Sequence, residues 1–248
     1  MKKQLKAENS QKIRRGLFNI DIYLPGLSIN NPADPNGLFQ LGRFDMAHLL
    51  PGVFVGMHPH RDDEILTYIR EGTMVHEDTE GGTEQVSETN LMLMNAGKGI
   101  YHQESIPNSG KDVKLLQIFI RPERPGLEPR VQFSTLGNAY SINKWRVVAG
   151  PIDHIPKPAL IIQSAVLVYD CRLQGDSISI HFKKDKFYLL FVFDGQVENE
   201  GIKLKKGDGL IFSDESITLY SGSVSDLVLF ELDQNAPYTR EGMYSGVS

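Results

Sequence analysis

HPHRDDEILTYIREGTMVHED, residues 58–78, sets two histidines ahead of a β-branched and aromatic run, then a glycine, then a second strand-like run. That order reads as strand, tight turn, strand. MNAGKGIYHQE, residues 94–104, follows with a glycine pair and a second histidine-carboxylate cluster. Alternate side chains of an extended strand share a face, so His58 and His60 point one way, and His102 and Glu104 do likewise. Two such strands can close one metal site. Three neutral imidazoles and a carboxylate suit a divalent first-row metal and leave one or two positions open. An open position implies chemistry or ligand sensing rather than a purely structural ion.

The same strand signature recurs along the chain. Short β-branched and aromatic runs at residues 43–49, 65–70, 91–95, 114–121, 166–173, 177–182, 187–194 and 227–232 are separated by Gly, Pro, Asn or Asp. No segment holds an amphipathic helical period, although AENSQKIRR, residues 7–15, allows a turn or two. The expected fold class is all-β, with few short helices. Two proline-rich breaks, RPERPGLEPR at 121–130 and GPIDHIPKP at 150–158, flank a stretch that reads as a connecting arm with the only tryptophan, Trp145. A boundary there divides the chain into residues 1–135 and 136–248.

The halves resemble each other. Setting Gly72 against Gly195 aligns ILTYIREGTMVHED, residues 65–78, with YLLFVFDGQVENEG, residues 188–201. The same shift carries His58 onto His181, His60 onto Lys183 and Glu64 onto Phe187, and no counterpart of His102 or Glu104 follows. The second half reads as a duplicate without a site, in which His181 is a relic with a vestigial or packing role.

Composition narrows the function classes. A net charge of −5 and a pI near 5.8 argue against broad nucleic-acid or acidic-membrane binding. The basic arm holding Lys2, Lys3, Lys6, Lys12, Arg14 and Arg15 is expected to be a solvated terminus. One cysteine, Cys171, cannot pair within the chain and lies in the apolar run AVLVYDCRL, so a buried thiol in a reducing compartment is expected. No apolar run is long enough to span a membrane, and LFNIDIYLPGL, residues 17–27, is too broken for a secretion signal; the expected location is the cytoplasm.

Gly52, His58, His60, Glu64 and Gly72, then Gly97, Gly99 and His102, follow the two cupin motifs. More narrowly, H-P-H-R leading to E-x-x-T-Y, with A-G-x-G-I-x-H-x-E after it, resembles the pirin family, as do LLQIFIRP and the proline-rich exit. The resemblance implies a bicupin of two stacked β-barrels, the first holding one iron through His58, His60, His102 and Glu104. Fe(II) is the implied cofactor, with another divalent transition metal as the alternative. Glu64 is then left as the candidate catalytic carboxylate, a base or orienter in the pocket, with a surface carboxylate beside Asp62 and Asp63 as the alternative. Some pirins show quercetin 2,3-dioxygenase activity, which implies a small flavonol-like aromatic substrate. Others are regulators, so the competing expectation is a metal- or redox-responsive protein acting through a protein partner. Asp62 and Asp63 stand where the family has Gly-Phe, Gln103 where it has serine, and Thr89-Asn90 where it has Gly-Asp. Two added carboxylates at the mouth would disfavour an anionic substrate unless they face solvent. His48 and His76 have no partner at ligand spacing and are expected to be structural, and His154 in the proline-rich connection is expected to be an exposed loop histidine.

Overall fold

A computed structural model describes residues 1–246. Four sheets stack in the order small, large, large, small. In the first half the seven-stranded sheet runs Arg130–Thr135, Asn90–Asn95, Glu64–Glu71, Val113–Ile120, Leu41–Leu49, Phe18–Tyr23, Gln11–Arg15. Its four-stranded partner runs Phe54–His60, Ile100–Ser105, Thr73–Asp78, Thr83–Ser87. The second half repeats the plan. Its large sheet runs Lys2–Leu5, Gly209–Ser213, Lys186–Asp194, Val224–Asp233, Val166–Gln174, Arg146–Gly150, Leu160–Ile161. Its small sheet runs Ser177–Ile180, Ile217–Tyr220, Gln196–Asn199, Ile202–Lys205. Each half is thus a sandwich of two packed sheets. The helices among the described residues are one 3-10 turn, Ala7–Asn9, and one α-helical turn, Pro25–Ser28.

Strand parity builds the layers. Along Glu64–Glu71, Ile65 and Ile69 pack inside the first sandwich, whereas Leu66 and Tyr68 enter the core between the two large sheets. That central core takes Phe44 and Ile118 from the first half and Phe191 and Phe230 from the second. Phe44 and Phe191 meet edge-on at 5.0 Å. A separate core of Cys171, Leu190, Phe212 and Leu229 fills the second sandwich. Burial pushes the Cys171 thiol up to about 12, consistent with an inert side chain.

Polar bonds also cross the seam. Tyr68 Oη donates to Asp170 at 2.8 Å, and Arg70 Nη2 to Asp226 Oδ1 at 2.9 Å. Arg146 and Arg172 cover the same two carboxylates from the second half. Gly72 and Gly195 both hold positive φ, 84° and 82°, and a Cβ on either would strike backbone or Ser225. The repeated turn therefore has a steric cause.

Three expectations are corrected. The basic arm is not loose: Lys2–Leu5 pairs with Gly209–Ser213 of the second half, and Lys2 meets Glu200 and Glu215 at 3.1 and 3.0 Å. The connecting arm is split, since Arg130–Thr135 closes the edge of the first large sheet and Arg146–Gly150 joins the second. Both chain ends cross the boundary drawn between residues 135 and 136, the first strand into the second half and the C-terminal tail back onto the first. Thirdly, His181 lies exposed beyond the end of Ser177–Ile180. The inward positions of that strand pair are Ile178, Ile180, Ile217 and Leu219.

Candidate metal centre

Phe54–His60 and Ile100–Ser105 are antiparallel neighbours, with His60 opposite Ile100 and His58 opposite His102. A register shift between His102 and Glu104 then sets Glu104 opposite Val55. On the other side of Ile100–Ser105, Glu104 faces His76. The HxH and HxE alternations therefore land on one face of one sheet. Ring centroids of His58 and His102 lie 4.3 Å apart, and those of His60 and His102 4.9 Å. One nitrogen from each of His58, His60 and His102 falls within 4.8 Å of the others, and His76, His102 and Glu104 form a second such group.

Hydrogen bonds fix which nitrogens are free. His58 Nδ1 meets the Gly56 carbonyl at 2.9 Å; a carbonyl only accepts, so Nδ1 carries the proton and Nε2 keeps its lone pair. His76 Nε2 meets Asp78 Oδ2 at 2.8 Å, so its proton is on Nε2 and its Nδ1 accepts. His102 Nδ1, 3.3 Å from that atom, must donate to it. This leaves the lone pair of His102 Nε2 bare and buried, without a partner among the described residues, and neither the N–H nor the bare nitrogen of His60 has one there. Burial pushes His102 down to about 2, and His58 and His76 downward too, so these three are neutral.

Glu104 is the carboxylate of the second group, with His76 and His102. Gln117 Nε2 donates to it at 3.3 Å, and burial alone pushes it up to about 7. Buried imidazole nitrogens with no partner, beside a carboxylate with no cation, both among the described residues, fit a divalent metal with mixed nitrogen and oxygen preference.

His58, His60 and Glu104 open into a cavity of about 380 Å³. Its walls are mainly apolar strand residues, with Gln117, Phe119, Tyr244 and the Arg43–Asp45 ion pair. Of the methionines near the site, Met57 is half exposed, whereas Met94 packs behind Phe119.

Glu64 is corrected. It shares parity with Leu66 and Tyr68 and so faces the seam, where Gln163 N donates to its two oxygens at 2.9 and 3.0 Å and Asn95 Nδ2 adds a third bond. It does not line the cavity. Asp62 and Asp63 are also buried rather than facing solvent: Asp62 accepts from Gly126 N at 2.7 Å, and Asp63 takes its donors from the C-terminal tail. Their charges are absorbed within the fold. His48 pairs with Asp112 at the surface. His76, read as structural, contacts the site. The signal for it was the H-x-D alternation of His76 and Asp78 on one strand face.

Two family models match the chain, one described as Pirin over residues 36–120 and one as Quercetinase C-terminal cupin domain over residues 156–232. A protein named quercetin 2,3-dioxygenase from Escherichia coli K12 is 32% identical over 209 residues, covering 83% of this chain and 88% of that one. The crystal structure of YhhW from Escherichia coli superposes with a TM-score of 0.82 at 28% identity, covering 94% of this chain and 97% of that one. A structure of bacterial pirin YhhW in complex with nickel(II) gives 0.80 at 29%, covering 94% and 99%.

Proposed function

Because this chain belongs to the pirin family, with the bicupin fold, we propose that it is a mononuclear metal-dependent dioxygenase acting on a flat, hydroxylated aromatic of the flavonol type. The metal would be held by His58, His60, His102 and Glu104, and Fe(II) is the ion that suits oxygen chemistry at this donor set. The observation that carries the reading is the buried meeting point of bare imidazole nitrogens at the floor of an apolar-walled cavity.

When bound, the metal supplies a Lewis acid for a substrate hydroxyl and a path for electrons between substrate and dioxygen. The side chains do the rest. Asp78 and His76 hold His102 in the tautomer that presents Nε2. Phe119 and the neighbouring apolar strands exclude water and receive the rings. Of the two carboxylates in the cavity, Asp45 is paired with Arg43, and Glu104 Oε, with Gln117 beside it, is the one where a proton from a substrate hydroxyl can be held. Glu64 has no part in this.

Metal analysis of anaerobically purified protein, paired with oxygen uptake on added quercetin, tests the reading. The expected result is about one iron per chain and quercetin-dependent oxygen consumption, both lost in His102→Ala. Iron uptake without oxygen consumption would overturn the dioxygenase reading, and no metal uptake after reconstitution would overturn the centre itself.

A further inference from the structure

Among the described residues, every one lining the cavity lies at or before Phe119 in the chain, except one. Tyr244 comes from the tail of the second half. Its ring centroid is 5.0 Å from that of His60 and 5.3 Å from that of Phe119, and the Arg43 guanidinium sits 5.0 Å from the Phe119 ring and 5.2 Å from that of Tyr244. The two rings and the cation make one continuous π-surface beside the candidate ligands.

The tail is clamped from inside the first half. Asp63, fully buried, accepts from Tyr244 N at 3.0 Å, Ser245 N at 2.9 Å and Ser245 Oγ at 2.6 Å. Met243 N donates to Arg61 O at 3.1 Å, and buried Arg121 Nε donates to Ser245 O at 2.6 Å. Removing the tail would strand a buried carboxylate and a buried guanidinium nitrogen, which a fraying terminus would not do. The fit is close enough that a Cβ on Gly242 would strike Ser245 Oγ, Asp63 Oδ1 and the Asp62 carbonyl.

We infer that Tyr244 is a specificity-determining wall of the substrate cavity, supplied by the second half and favouring flat aromatic ligands over aliphatic chelators. This rests on the reading that substrate meets metal in this cavity. It also gives the half without a histidine cluster a part in the site: it carries the tail that completes the wall.

The test uses the full chain with Tyr244→Trp, read against the wild type to subtract Trp145. Nickel(II) added to the variant should quench the new emission, and adding Gly242→Ala should abolish that quenching with nickel uptake unchanged. Nickel uptake without quenching would overturn the inference. If the chain takes up no nickel, the metal reading fails by itself and acrylamide decides the tail. Tyr244 is 37% exposed where it docks, so an indole only partly shielded in Tyr244→Trp and opened further by Gly242→Ala supports docking, and equal access in both overturns it. For selectivity, Tyr244→Ala in nickel-loaded protein should weaken quercetin binding by about threefold to tenfold, the range of one aromatic stack. Oxalate binding should hold, and Tyr244→Phe should retain quercetin. Equal losses for quercetin and oxalate would overturn the assignment.

Discussion

The two halves share a strand plan and differ in what their small sheets turn inward. In the first, paired strands present His58, His60 and His102, backed by His76 and Glu104. In the second, the equivalent pair presents Ile178, Ile180, Ile217 and Leu219. One plan tolerates both fillings because sheet pairing is made by backbone, whereas the interior is chosen residue by residue. The polar filling is the costly one. It leaves buried ring nitrogens without partners among the described residues, a defect that an apolar interior does not have and that a bound metal would relieve at the nitrogens it ligates.

The strongest way to break this comparison is to move a histidine across it. Leu219→His buries an imidazole in a core with no ligand partners, losing about 1.5–3 kcal/mol of apolar burial and adding about 1–3 kcal/mol for an unsatisfied polar group. Unfolding in denaturant should show a loss of about 3–5 kcal/mol. A neutral result would mean that the second sandwich is no drier than the first.

The reverse exchange sharpens it. His60→Leu places an apolar side chain where neither ring nitrogen has a partner, so the metal-free protein should be no less stable than the wild type. Metal affinity should fall on the order of 100-fold or more, measured by equilibrium dialysis. Retained affinity would remove His60 from the ligand set.

Acid should separate the carboxylate from the imidazoles. Glu104 is raised to about 7, so in the metal-free protein it gains a proton as pH falls through about 7, and that proton competes with metal. His102, held near 2, stays neutral through this window, and burial shifts His58 downward as well. Metal affinity should therefore drop by up to about tenfold per pH unit below 7, and Glu104→Gln should bind more weakly but without that slope. An unchanged slope in the variant would place the competing proton elsewhere.

Much of this was legible in the sequence. The eight strand runs all fall within or across observed strands, because each is an alternating or buried β-branched segment cut by a turn residue. The HxH and HxE spacings pointed to one shared face because strand period is two. What stayed hidden depends on which side of a doubly buried sheet a residue takes. Residues 64–70 are buried throughout, so periodicity could not tell that Glu64 faces the seam while Ile65 faces the first sandwich. His181 misled for a related reason: a fixed shift that aligns the glycine turns ignores the longer connection, residues 181–185 against 61–63, and the strand longer by one residue before the second turn. The tail contact of Tyr244 spans the chain, and no local pattern encodes it.

Glu64 gives the smallest and most discriminating effect. Burial raises its carboxyl from 4.5 to about 8, against the opposing donors Gln163 N and Asn95. The folded state thus holds its proton more tightly than the unfolded chain. The resulting stability is fully present below about 4.5 and is lost as pH rises through about 8. Glutamine mimics the protonated form without titrating, so Glu64→Gln should gain on the wild type between pH 5 and 9 by roughly a few degrees in Tm. Metal content should be unchanged throughout. Loss of metal in this variant would return Glu64 to the site, whereas a Tm gap that grows with pH at constant metal content assigns it to the joint between the halves.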